Sequence, residues 1–171
     1  MSQKEKQLHK INTFITAENL GVDLRNLGMA GSCRMEPEVA QHIAKMGRRG
    51  EWDVATLCMG INVLSWEPAK IEERVRYMIH TVADANPEKH IFCISPLYCG
   101  SDYKGESAAA NWRTIIERLV AEYNSPYVHY VSGLALLGNA RGLSGDRVHP
   151  SPLGVREIAQ NLTAVMAAVV K

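Results

Sequence analysis

Apolar residues along the chain recur with two alternating periods. Ile11, Phe14, Ile15 and Leu20 keep helical spacing up to Gly21, after which Val22, Leu24 and Leu27 fit a short strand. Pro37 stands at a first-turn position, and Val39, Ala40, Ile43, Ala44 and Met46 give the apolar face of a second helix that Gly47 is expected to stop. Val54 to Met59 is an apolar run of the kind found in a parallel strand covered on both faces. The alternation then repeats. Ile71, Val75, Met78, Ile79 and Val82 predict a helix, Ile91 to Ile94 a buried strand, and Trp112 to Tyr123 a helix with Ile115, Ile116, Leu119 and Val120 on its apolar side. Val128 to Val131 predicts a further strand, and Val155 to Val169 a last helix that begins just after Pro152.

Alternating helices and strands predict an α/β fold: a parallel sheet in a three-layer α/β/α arrangement, joined by right-handed crossovers. Functional loops in such folds follow the carboxyl ends of strands, which here means after Leu27, Met59, Ile94 and Val131. Two long irregular stretches, Pro96 to Gly105 and Ser132 to Pro150, are expected to frame a site, with Tyr98 and Tyr103 shaping its pocket. There is no internal repeat, and 171 residues suit a single domain over 1–171 with a polar segment at 1–11.

Composition narrows the partners. With 19 basic and 18 acidic residues the net charge is +1, so no overall field favours nucleic acid or an anionic membrane. No apolar stretch approaches the ~20 residues a bilayer requires, and the start of the chain lacks a secretion signal, which predicts a cytoplasmic protein. Cys33, Cys58, Cys93 and Cys99 are expected as reduced and mostly buried thiols. Cys93 and Cys99 lack the Cys-x-x-Cys and histidine spacing of a zinc site, and no Gly-x-Gly-x-x-Gly or P-loop is present, so neither metal nor nucleotide cofactor is expected.

Three segments carry candidate chemistry. Asn26 to Ser32 is a strand end running into a small-residue turn where the Gly31 N–H can face a ligand. Gly60-Ile61-Asn62 places an amide donor directly after the apolar run, where it could meet a developing oxyanion or merely cap a turn. Asp146-Arg147-Val148-His149 sets a carboxylate three residues before an imidazole, so that Asp146 can accept the Nδ1–H and leave Nε2 to act on a hydroxyl; alone, the pair could equally be a capped turn.

Together and in this order, the three segments resemble the SGNH, or GDSL-type, hydrolase family, and the resemblance extends from about residue 12 to the C-terminus. The words Asn26-Leu27-Gly28-Met29-Ala30-Gly31 and Arg34-Met35-Glu36-Pro37-Glu38 are similar to those of one bacterial subgroup. The resemblance implies a flavodoxin-like sheet, an oxyanion hole from Gly31 and Asn62, and Asp146 and His149 as catalytic residues. It also implies a serine ester hydrolase for small acyl esters, acetylated carbohydrates among them, needing no cofactor. The family's nucleophile is the serine of a Gly-Asp-Ser block ending the first strand, and this chain has no such block. Ser2-Gln3-Lys4-Glu5-Lys6-Gln7 has too little apolar content for a central strand.

The first strand is therefore expected to be missing or replaced, leaving a gap of about 9.6 Å between Val22–Leu27 and Val54–Met59. The flanking strands could close up, a strand of another chain could fill the gap, or the chain could be a truncated or shortened homologue. Ser32, Cys33 and Ser95 are the substitute nucleophiles within reach of such a site. The alternative function is an inactive domain that binds a ligand or self-associates as a homo-oligomer. Trp112 is expected in the core, Trp52 and Trp66 at a pocket mouth, and His42, His80 and His90 without a role.

Overall fold

The computed structural model describes residues 3–170, with side chains from Asn12 onward. Its sheet has three strands, β1 (Val54–Cys58), β2 (His90–Ile94) and β3 (Val128–Val131), in the order β1-β2-β3. Both pairings are parallel, with Leu57 opposite Cys93 and Cys93 opposite Tyr130. Helices α1 (Gln3–Leu20), α2 (Pro37–Arg48), α3 (Pro68–Asp84), α4 (Gly100–Tyr103), α5 (Ala108–Tyr123), α6 (Gly133–Leu136) and α7 (Pro152–Ala167) complete the chain. No helix among the described residues is long and apolar enough to cross a membrane.

Alternate residues of β2 divide between two cores because successive side chains of a strand point to opposite faces. Ile91 and Cys93 join Ile71, Val75, Ile79 and Ile116 under α2, α3 and α5, whereas Phe92 and Ile94 pack with Leu136, Leu137, Ile158 and Leu162 under α6 and α7. This is the three-layer α/β/α arrangement expected from the alternation. Trp112 is buried in the first core and donates its indole N–H to the Val63 carbonyl at 3.2 Å.

Several local expectations change. Helix α1 starts at Gln3 rather than near Ile11 and packs along α7, so the polar segment is helical backbone that does not occupy a strand position. Helix α2 runs through Gly47, whose missing Cβ leaves room for Asn86 and Trp52, and the chain turns instead at Gly50 with φ +71°. Trp52 donates to the Ile43 carbonyl at 2.9 Å, and Trp52 and Trp66 are both half-buried against the first core.

The largest departure is at Val22–Leu27, which is not a strand. Val22, Leu24, Leu27 and Met29 are 42%, 42%, 39% and 43% exposed. The physical reason is that a strand exists only by pairing, and no neighbour offers these residues a ladder. Strand β1 is also not covered on both faces as expected: Leu57 is buried, but Thr56 and Cys58 are exposed.

Candidate active site

The Asp146–His149 segment forms a closed loop. Leu143 and Pro150 make an antiparallel bridge, the Ser144 N–H donates to the His149 carbonyl at 2.8 Å, and the Arg147 N–H to the Ser144 carbonyl at 3.0 Å. Arg147 takes the left-handed conformation, φ +59°, that lets four residues turn so tightly. Just beyond, the Ser151 hydroxyl accepts the Gly154 N–H at 3.2 Å and caps α7, with Pro152 in the first turn.

Inside this loop every acceptor of Asp146 has a defined use. Oδ1 accepts the Ser144 hydroxyl at 2.8 Å and the N–H groups of Val148 and His149 at 2.9 Å each. Oδ2 faces His149 Nδ1 at 2.6 Å. The bonds from the His149 N–H and ring, followed by those from Val148 and Ser144, hold the Asp146 carboxyl well below the usual carboxylate range. An ionised Asp146 can only accept, so Nδ1 carries the hydrogen of this contact. Both side chains are about half exposed, 49% for Asp146 and 46% for His149.

The other predicted site residues lie on loops beside this one. Gly31 is exposed in a short 3₁₀ turn (Ala30–Ser32), where its N–H has no backbone partner among the described residues. Asn62 sits in a second 3₁₀ turn (Ile61–Val63) directly after β1. Its Nδ2 donates to the carbonyls of Ala30 and Cys33 at 2.9 and 2.8 Å, so the structure brings Asn62 to the Gly31 turn and uses its amide as a clasp. Gly60, at φ +96°, is where the chain leaves β1, and a Cβ there would stand 3.1 Å from Pro96.

The loop after β2 links the two halves. Arg113, 7% exposed on α5, donates Nε to the Pro96 carbonyl at 2.7 Å, one terminal nitrogen to the Leu97 carbonyl at 2.8 Å, and both to Asp102 at 2.7 Å. Burial alone would push the Asp102 carboxyl up, yet the bonds from Arg113 and the Cys99 N–H leave it below its ordinary value. Gly100 in turn approaches the Arg147 carbonyl, which a Cβ would meet at 3.3 Å. A cleft of about 320 Å³ lies beside this contact, lined by Tyr103, Leu143, Ser144 and Arg147, with the Arg147 guanidinium 4.3 Å above the Tyr103 ring.

The candidate substitute nucleophiles fit poorly. Ser95 is 2% exposed and engaged with the Tyr130 hydroxyl at 3.1 Å and the Gly133 N–H at 3.0 Å. Burial, and then the charge of Glu36, push the Cys33 thiol up, away from a thiolate. Ser32 is exposed next to Gly31. Ser2 lies outside the described residues. No group of three or more metal-ligating side chains occurs among the described residues.

An arrangement of this order, a turn glycine, a Gly-x-Asn after a strand and a hydrogen-bonded Asp-x-x-His, coincides with a family match. The GDSL-like lipase/acylhydrolase family matches residues 12–157. The chain belongs to that family. Among solved structures it resembles the salicylyl-acyltransferase SsfX3 of a tetracycline biosynthetic pathway (TM-score 0.77, 19% identity), covering 92% of this chain and 48% of that one. It also resembles a GDSL-like lipase from Bacteroides ovatus (0.76, 19%), covering 93% and 47%. This chain thus spans about half the length of those two relatives. A carbohydrate esterase of family 3 from Talaromyces cellulolyticus is similar over 93% of this chain and 90% of its own (0.68, 14%). No curated protein sequence matches.

Sequence reasoning missed the residues that act through others. Ser144 and the Arg113–Asp102 clamp match no motif: the Ser144 hydroxyl donates to the Asp146 carboxylate two positions on, and Arg113 reaches two backbone carbonyls and a carboxylate eleven positions away. His80, expected to be without a role, stands one helical turn from Asp84, with Nδ1 3.6 Å from the carboxylate and its ring edge-on to Tyr123. His90, also left without a role, pairs across the sheet with His129, Nδ1 to Nε2, at 2.9 Å.

Proposed function

We propose that this chain is the base and oxyanion-hole portion of a GDSL-type serine ester hydrolase acting on small acyl esters, acetylated carbohydrates among them. His149 takes the serine proton at Nε2 and returns it to the leaving alcohol, Asp146 fixes the tautomer and stabilises the imidazolium, and Gly31 N–H with Asn62 stabilises the tetrahedral oxyanion. The observation that carries this reading is the 2.6 Å contact of His149 Nδ1 with a carboxylate that three further donors hold ionised and oriented. For Asn62 to serve an oxyanion, one of its two bonds to the 30–33 turn must open when substrate arrives.

The serine of the family's first block has no counterpart among the described residues. Two structural relatives, a salicylyl-acyltransferase and a carbohydrate esterase, carry acyl chemistry in their descriptions, which supports the choice of an ester as substrate.

The test joins a strand ending in Gly-Asp-Ser to the N-terminus and follows release of p-nitrophenol from acetate, butyrate and octanoate esters. The joined protein is expected to hydrolyse the acetate, and His149→Ala in it to lose on the order of 10³-fold or more in kcat. A joined protein that folds and is inert overturns the reading.

The use of both Asn62 amide hydrogens within the protein favours a second reading, an inactive homologue that binds a ligand or associates with itself. Sedimentation and thermal shift with acetylated sugars separate the two: a monomer that no ligand stabilises counts against this second reading.

A further inference from the structure

Arg147 occupies a backbone conformation that its own side chain does nothing to explain. Its φ of +59° lies in the left-handed region, which favours glycine and strains a residue with a Cβ. The loop uses only the main chain here: the Arg147 N–H donates to the Ser144 carbonyl at 3.0 Å, and the Arg147 carbonyl is the group that Gly100 approaches. A glycine at 147 would make both contacts without strain. Strain kept at a residue whose side chain does not serve the turn implies that the side chain is used elsewhere.

That side chain lines the cleft of about 320 Å³, together with Tyr103, Ala140, Leu143, Ser144 and Gly145, and it is the one charged group of the lining. Its guanidinium lies 4.3 Å above the Tyr103 ring, itself 52% exposed, and makes no hydrogen bond or ion pair among the described residues. The ring holds the cation by its face but accepts none of the N–H groups in the guanidinium plane, so the fork of donors stays open. Other arginines spend theirs: Arg113 on Asp102 and two carbonyls, Arg76 and Arg118 on Glu72 and Glu122. Asp146, the adjacent residue, directs its oxygens to Ser144, Val148 and His149 and leaves Arg147 without a counter-charge. Because Ser144 both lines the cleft and donates to the carboxylate that orients His149, an occupant of the cleft lies beside that pair.

We propose that Arg147 is a specificity-determining residue that binds a carboxylate on the alcohol portion of the substrate, and that this alcohol is a sugar acid seated in the cleft as a single ring. The planar fork matches the two oxygens of a carboxylate in a bidentate pair, which a neutral sugar cannot form. The volume lies at the lower end of the roughly 300–1,000 Å³ of small-molecule sites, room for one ring rather than a chain. An acetyl group carries no second functional group, so the carboxylate belongs to the alcohol. The ester bond in this inference rests on the hydrolase reading; the carboxylate contact rests on the cleft alone.

The experiment titrates the isotope-labelled full chain with sodium D-glucuronate at constant ionic strength and follows the Arg147 Nε–H and Tyr103 ring resonances. A saturable shift of both is expected, with D-glucose and inorganic phosphate each binding at least about tenfold more weakly. Arg147→Gly should lose binding at least about tenfold while melting within about 3 °C of the native chain, since glycine takes the left-handed conformation freely. Arg147→Asn, which also tolerates that conformation, should do the same, and Tyr103→Leu should weaken binding without abolishing it. His149→Ala should bind glucuronate as the native chain does. A chain that binds glucuronate but fails the p-nitrophenyl ester test therefore counts against the hydrolase reading alone. No saturable shift, an equal response to glucose, tighter binding of phosphate, or retained binding in Arg147→Gly overturns the proposal. So does unfolding of both Arg147 variants, which would make the side chain part of the fold.

Discussion

At the scale of single residues, the controlling feature is the number of donors on Asp146. A carboxylate that satisfies four hydrogen bonds has little freedom to rotate, so His149 is oriented before any substrate arrives. Asp146→Asn replaces an acceptor-only group with an amide and is expected to abolish the low-field Nδ1 proton resonance of His149. Because the folded carboxyl titrates below its unfolded value, its stabilisation is complete above the unfolded pKa of about 4 and is lost as pH falls further. The melting temperature of the native chain should therefore exceed that of Asp146→Asn at pH 7, and the gap should shrink as the solution is acidified below about pH 4.

His129 has the opposite chemistry with a related sign. Burial, and then the charge of His90, hold its pKa below the ordinary value, while its ring stacks on Phe92 at 4.8 Å. A base that resists protonation when folded stabilises the protein above its unfolded pKa and loses that contribution as pH falls from about 6.5 through the folded value. His129→Phe keeps the stack and should melt with a flatter pH dependence between pH 7 and 5; an unchanged slope would show that the histidine pair is not the source.

At the scale of elements, the loops after the three strands are held as one unit by backbone approaches and a single buried cation. Arg113 satisfies two carbonyls and a carboxylate that would otherwise be orphaned between α4 and α5. Removing one partner of a buried pair leaves the other uncompensated, so Arg113→Met should cost about 3–5 kcal/mol in urea denaturation. The same row of loops explains which parts of the site were legible. Asp146 and His149 are three positions apart, and a contact that local can be anticipated from spacing. Arg113 meets Asp102 and Pro96 only because α5 packs back across the sheet, and no spacing rule announces that.

At the scale of the molecule, the asymmetry of the sheet dominates. Strand β2 is covered on both faces and paired on both edges, whereas β1 is paired on one. Amide exchange in the unliganded chain should follow this geometry: Phe92 and Cys93 near the global limit, Thr56 and Cys58 many times faster, and Leu57, whose N–H turns to β2, between them. Uniform protection along β1 would mean that its outer edge is already covered.

What the sequence by itself determined is what short-range physics decides. Helical periodicity, the apolar runs of β1 to β3, the start of α7 at Pro152, and the Asp146–His149 pair all depend on residues within a few positions of each other. Only the tertiary structure decided the rest. Val22–Leu27 is apolar enough to read as a short strand, but a strand is a relation between two segments, and without a neighbour its backbone stays unpaired and its side chains stay wet. Asn62 was legible as a donor, yet what it donates to depends on a turn thirty residues earlier in the chain. Burial and competing hydrogen bonds, which exist only once the chain has packed, closed off Ser95 and raised the Cys33 thiol.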